Sequence, residues 1–94
     1  MGISFDMKAV ASADVVTRRL DDELVLLDLG SENYFGLDAV GTRIWELLAS
    51  APSVQDAYDE LLTEYAVDAD TLRGDVEKLL NELVGHGLIE LRAG

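Results

Sequence analysis

A chain of 94 residues with 19 acidic and 7 basic side chains and no cysteine holds one modest core. At this length folding buries only about 60–65% of the surface that the unfolded chain exposes, which excludes a multi-domain enzyme or a large enclosed active site. A net charge of −12 repels phosphate backbones and anionic lipid surfaces, so nucleic acid and membranes are excluded as general partners. Without cysteine there is no disulfide framework, thiolate metal site or thiol nucleophile, and the expected location is the cytoplasm.

The first forty residues alternate in steps of two and the remainder in steps of three and four, which gives an α+β chain. Ile3, Phe5 and Met7 alternate with Ser4, Asp6 and Lys8 as an amphipathic strand, and Ala9 to Asp14 reads as a loop. Val15 to Leu20 is a strand, and Asp21 with Asp22 forms a hairpin turn because Asp tolerates turn backbone angles. Glu23 to Leu29 carries apolar residues on both faces, as a central strand does. Gly30 and Ser31 turn the chain into a short edge strand, Asn33 to Leu37. There Asn33, Phe35 and Leu37 point one way and Tyr34 and Gly36 the other.

Helical spacing begins at Val40 and continues through Ile44, Leu47 and Leu48, with Trp45 beside the stripe and Asp38 as N-cap. Pro52 follows this helix. Ser53 caps a second one, with Asp56 in the capping-box position and Val54, Ala57, Tyr58, Leu61, Leu62 and Tyr65 on one face. Asp68 and Asp70 open a third helix, along which Leu72, Val76, Leu79, Leu80, Leu83 and Val84 recur, and Gly85 and Gly87 close it. Leu88 to Leu91 is either a final short strand or a packed chain end. The order is winged-helix-like: a three-stranded antiparallel sheet followed by three helices, in a single domain spanning 1–94.

No residue pattern supplies catalytic chemistry. Asp68, Asp70 and Asp75 cluster near the third helix, but the run lacks the glycine and terminal glutamate of a calcium loop, and helix capping accounts for them, so no metal or other cofactor is expected. The serines lie in no nucleophile-elbow or Ser-x-x-Lys context, and the single histidine, His86, sits between two glycines as a helix end. What remains is the edge strand Asn33 to Leu37. Its unpaired backbone groups can be completed by an extended peptide, with Tyr34 and Phe35 as pocket walls.

Several blocks carry a resemblance. Leu24-Val-Leu-Leu-Asp-Leu, Asn33-Tyr-Phe-Gly-Leu-Asp, Gly41-Thr-Arg-Ile-Trp-Glu-Leu-Leu, Asp75-Val-Glu-Lys-Leu-Leu-Asn-Glu-Leu and Gly87-Leu-Ile resemble the PqqD-like peptide chaperones, or RiPP recognition elements, over Val15 to Leu91. The resemblance implies a non-catalytic protein that holds the leader segment of a ribosomally made precursor peptide. It would present that segment to a maturase such as a radical SAM enzyme, a cyclase or a leader peptidase. It further implies that the leader adds as a strand beside Glu32, Asn33, Tyr34, Phe35, Gly36 and Leu37, in a groove shared with the third helix. That helix would contribute the flank Arg73, Glu77, Leu80 and Val84, with Val76 from the adjoining core stripe Leu72, Val76, Leu79 and Leu83. Which of the two stripes faces the groove is open by one helical step. Family members are monomers or homodimers.

The departure lies at the start, where Ile3 to Val10 precedes the first family strand. It is open between an appended remnant, an extra strand, a contact with a second copy, and a segment that fills the peptide edge when no leader is bound. The alternative function is a winged-helix DNA-binding transcription regulator. Charge weighs against it, because the third helix sets Arg73 and Lys78 against Asp75, Glu77 and Glu82.

Overall fold

A computed structural model describes residues 4–93. The elements run β1 (Met7–Ala11), β2 (Val15–Leu20), β3 (Glu23–Asp28), β4 (Asn33–Leu37), α1 (Ala39–Ser50), α2 (Val54–Glu64), α3 (Ala69–Gly85) and β5 (Ile89–Ala93). β2, β3 and β4 form an antiparallel meander with β3 at its centre, and β1 pairs antiparallel with β5 as a separate two-stranded ribbon. The α+β architecture, with a three-stranded sheet ahead of three helices, is the one expected from the sequence.

The first strand differs from its expected phase. Ile3 lies outside the described residues, Phe5 and Asp6 sit in a turn, and the strand covers Met7–Ala11, part of the stretch expected as a loop. The reason is a partner far along the chain: Met7 pairs with Ala93 and Ala11 with Ile89. Of the roles left open for this segment, Met7–Ala11 is an extra strand, and it does not occupy the edge of β4. The ribbon covers α1, where Ala9 and Ile89 pack near Trp45 and Leu48. Trp45 is therefore in the core at 8% exposure, whereas Val40 remains exposed.

Local signals place the remaining elements. Asp21 adopts a left-handed backbone (φ 58°) in the β2–β3 turn. In the β3–β4 turn Asp28 accepts from the Gly30 amide (3.0 Å) and the Ser31 hydroxyl (2.8 Å), and the left-handed residue is Glu32 (φ 61°). Asp38, Ser53 and Asp68 each accept an amide hydrogen bond three residues on, from Gly41, Asp56 and Thr71, and so satisfy one of the free N–H groups at the start of α1, α2 and α3.

α3 ends in a Schellman motif. The Gly87 amide (φ 72°) donates to Val84 and the Leu88 amide to Leu83, with Leu88 and Leu83 both buried. The core runs between the inner sheet face and the helices. Leu26, Leu61, Leu80 and Leu83 are fully buried there, each contributing about 2 kcal/mol through removal from water. No helix of the described residues is long and apolar enough to cross a membrane.

Candidate functional site: a strand edge beside a helix

β4 pairs with β3 alone, in the register Asp28 with Asn33, Leu26 with Phe35 and Leu24 with Leu37. Its other edge has no strand partner among the described residues, so alternate N–H and C=O groups point outward. The alternation matches the sequence pattern. Leu37 is buried and Phe35 half-buried on the inner face, while Tyr34 stands 77% exposed on the outer face, with Gly36 beside it. A Cβ added to Gly36 would meet nothing within 4 Å, so the outer face is open there.

The rotation of α3 decides which side chains border this edge. Leu72, Val76, Leu80 and Leu83 are buried and define its inward face. Asp75, Leu79, Glu82 and His86 follow one another at helical spacing on one side of that face. This side turns toward β4: His86 packs on Phe35 with ring centroids 5.4 Å apart, and Asp75 and Leu79 share a depression with Asp38, Val40, Gly41 and Ile44 just past Leu37.

Arg73, Glu77 and Val84 lie on the opposite flank. Arg73 pairs with Glu77 at 3.4 Å and covers the Phe5 ring, while Val84 borders β5. The structure thus brings Glu32, Asn33, Tyr34, Phe35, Gly36 and Leu37 together along one edge but does not bring Arg73 or Glu77 to it. Val76 and Leu80 are 1% and 0% exposed and belong to the core. Leu79, on the other of the two stripes left open, borders the β4 end with Asp75, and His86 lies against Phe35; neither Asp75 nor His86 was placed there by the sequence pattern. Leu79 and Leu80 are equally apolar neighbours, and only packing against the sheet and α2 distinguishes them.

The charge around the edge is acidic. Glu32, Asp38, Asp75 and Glu82 stand near it, and none belongs to an ion pair among the described residues. Most cations are held elsewhere: Arg19 by Glu46, Arg92 by Glu90, Arg43 by Glu64 and Glu46, and Lys8 by the Ala51 carbonyl. The Arg43–Glu64 pair is a two-pronged fork, with Nε to Oε1 at 2.7 Å and a terminal nitrogen to Oε2 at 2.6 Å. That hydrogen bonding raises the Arg43 guanidinium and lowers the Glu64 carboxyl relative to their ordinary values. On α3 itself Arg73 pairs with Glu77 and Lys78 stands among Asp75, Glu77 and Glu82, so this helix presents no basic face to a nucleic acid.

A free strand edge running beside a helix is a surface that an extended peptide can complete by adding as a further strand. The chain belongs to the PqqD family: the family model described as coenzyme PQQ synthesis protein D (PqqD) matches residues 23–89. That span opens at β3, so β1 and β2 precede it.

Two solved structures are similar to this chain. One is described as TbiB1 in complex with the TbiA(beta) leader peptide. It is 42% identical, covers 85% of this chain and 93% of its own, and has a TM-score of 0.79. The other is a lasso peptide synthetase B1 complexed with the leader peptide, 24% identical over 88% of this chain and 98% of its own. It shares the fold, with a TM-score of 0.79. No curated protein matches.

Proposed function

We propose that this chain is a non-catalytic binding protein that takes the leader segment of a ribosomally made precursor peptide as an added strand on β4. It then presents that segment to a modifying enzyme of natural-product biosynthesis. The observation that carries this reading is the unpartnered β4 edge beside the Asp75–Leu79–His86 flank, in a fold shared at 42% identity with a protein solved in complex with a leader peptide. Main-chain hydrogen bonds along Asn33 to Leu37 would supply sequence-tolerant affinity. Pockets on either side of the added strand would read alternate peptide side chains. The peptide-binding set is then Glu32, Asn33, Tyr34, Phe35, Gly36 and Leu37 with Asp75, Leu79 and His86.

Amide exchange followed by NMR tests this reading. In the free protein, alternate amides of Asn33 to Leu37 should exchange quickly because they face solvent, while their neighbours are protected by β3. Saturating TbiA(beta) leader peptide should slow that outward set and shift the signals of Leu79 and His86. Unchanged exchange in β4 under saturating peptide would exclude strand addition at this edge.

A further inference from the structure

Building on the strand-addition reading, we infer that the depression at the Leu37 end of β4 is a subsite for a lysine or arginine side chain of the bound peptide. Its lining is Asp38, Val40, Gly41, Ile44, Asp75 and Leu79. The aliphatic part comes from buried Ile44, half-buried Leu79 and Val40, which is left 43% exposed in the first turn of α1. The polar part is two carboxylates from different elements, Asp38 at the β4–α1 junction and Asp75 on α3.

A long aliphatic stem that ends in a cation matches both parts. The methylenes cover Val40 and Leu79 while the head group reaches the acids. A neutral apolar side chain would leave the carboxylates unanswered, and an acidic one would be repelled by them.

Both carboxylates retain accepting capacity. Asp38 commits Oδ1 to the Gly41 amide at 2.8 Å, which caps α1 and leaves Oδ2 without a protein donor among the described residues. Asp75 takes part in no ion pair or side-chain hydrogen bond among the described residues, and Lys78, one turn along, stands exposed without bridging to it. The wider field has the same sign, with Glu32 and Glu82 near the edge in a chain of net charge −12. A cationic side chain is therefore favoured by the two carboxylates and by the surrounding potential.

The test is a charge scan of the TbiA(beta) leader peptide. Each position is replaced in turn by Lys, Glu and norleucine, and each peptide is titrated into the full chain at low salt. At one position the Lys peptide should bind about three- to fivefold tighter than the Glu peptide, the range of an exposed ion pair, and tighter than the norleucine peptide. Asp75→Asn should lower that ratio at this position alone, Asp75→Lys should lower it further, and added salt should shrink it.

Asp75 is exposed, so both variants are expected to keep the circular dichroism spectrum of the parent. A Lys-to-Glu ratio near one at every position, or a ratio that neither variant alters, overturns the subsite while leaving strand addition standing. Failure of every peptide in the scan to bind overturns both.

Discussion

The Arg73 guanidinium lies over the Phe5 ring, 3.9 Å from its centroid, and Tyr58 meets the same ring edge-on at 5.6 Å. This stack ties α3 and α2 to the segment ahead of β1, where Phe5 is buried and its carbonyl accepts from the Gln55 amide at 2.8 Å. Arg73 is thereby committed to the side of α3 that faces away from β4. Arg73→Ala should lower stability by about 1 kcal/mol, through loss of the cation–π contact and of packing by the side-chain stem. It should leave affinity for the TbiA(beta) leader peptide unchanged. Urea unfolding and peptide titration of the same sample check both parts, and a marked loss of affinity without loss of stability would return Arg73 to the binding site.

The placement of Arg73 marks where sequence reasoning stopped. Strand alternation, the caps Asp38, Ser53 and Asp68, and the closing Gly87 were legible because each depends on residues within a few positions of one another. The edge strand was legible for the same reason, since Tyr34 and Phe35 announce their faces by alternation alone. The rotation of α3 was not.

Its apolar residues form a stripe wide enough to accept two inward faces one helical step apart, and one step is about 100° around the axis. Packing resolves the choice by burying Leu80 completely and leaving Leu79 half-buried beside the groove. The β1–β5 ribbon was illegible for a related reason. Ala9 gives a weak strand signal, and its pairing with Leu91 joins residues at opposite ends of the chain.

The Arg43–Glu64 fork links α1 to the last residue of α2 and gives stability a dependence on acid. Its hydrogen bonds hold the Glu64 carboxyl below its ordinary value in the folded state. The contribution is therefore fully present above the unfolded glutamate value of about 4.3. It is lost as pH falls through the lower, folded value. Glu64→Gln should lower stability slightly near neutrality, by no more than an exposed ion pair contributes, and the difference from the parent should vanish as pH falls below about 4.3. Urea unfolding between pH 3 and 7 measures the difference, and parallel profiles for the two proteins would show that the fork carries no linkage.

Two turns make the same left-handed demand on residues of opposite kinds, so substitutions at the two should move stability in opposite directions. Glu32 holds φ 61° at the entry to β4, a left-handed conformation that costs a residue with a Cβ about 1 kcal/mol. Glu32→Gly should relieve that cost, less the greater freedom that glycine gives the unfolded chain. Gly87 holds φ 72° in the Schellman motif, and a Cβ there would meet nothing within 4 Å, so Gly87→Ala tests the backbone term without a steric clash. Its expected effect is a loss of about 1 kcal/mol. Gly74 supplies the control: it lies within α3 with open space around it, and Gly74→Ala should gain up to about 1 kcal/mol from helix propensity. In a domain of this size 1 kcal/mol moves the melting temperature by about 4–8 °C, well within the reach of calorimetry. Equal melting temperatures for Gly87→Ala and Gly74→Ala would contradict the left-handed termination of α3. Since that termination sets the position of His86 against Phe35, Gly87→Ala should also weaken peptide binding at the β4 edge, whereas Gly74→Ala should not.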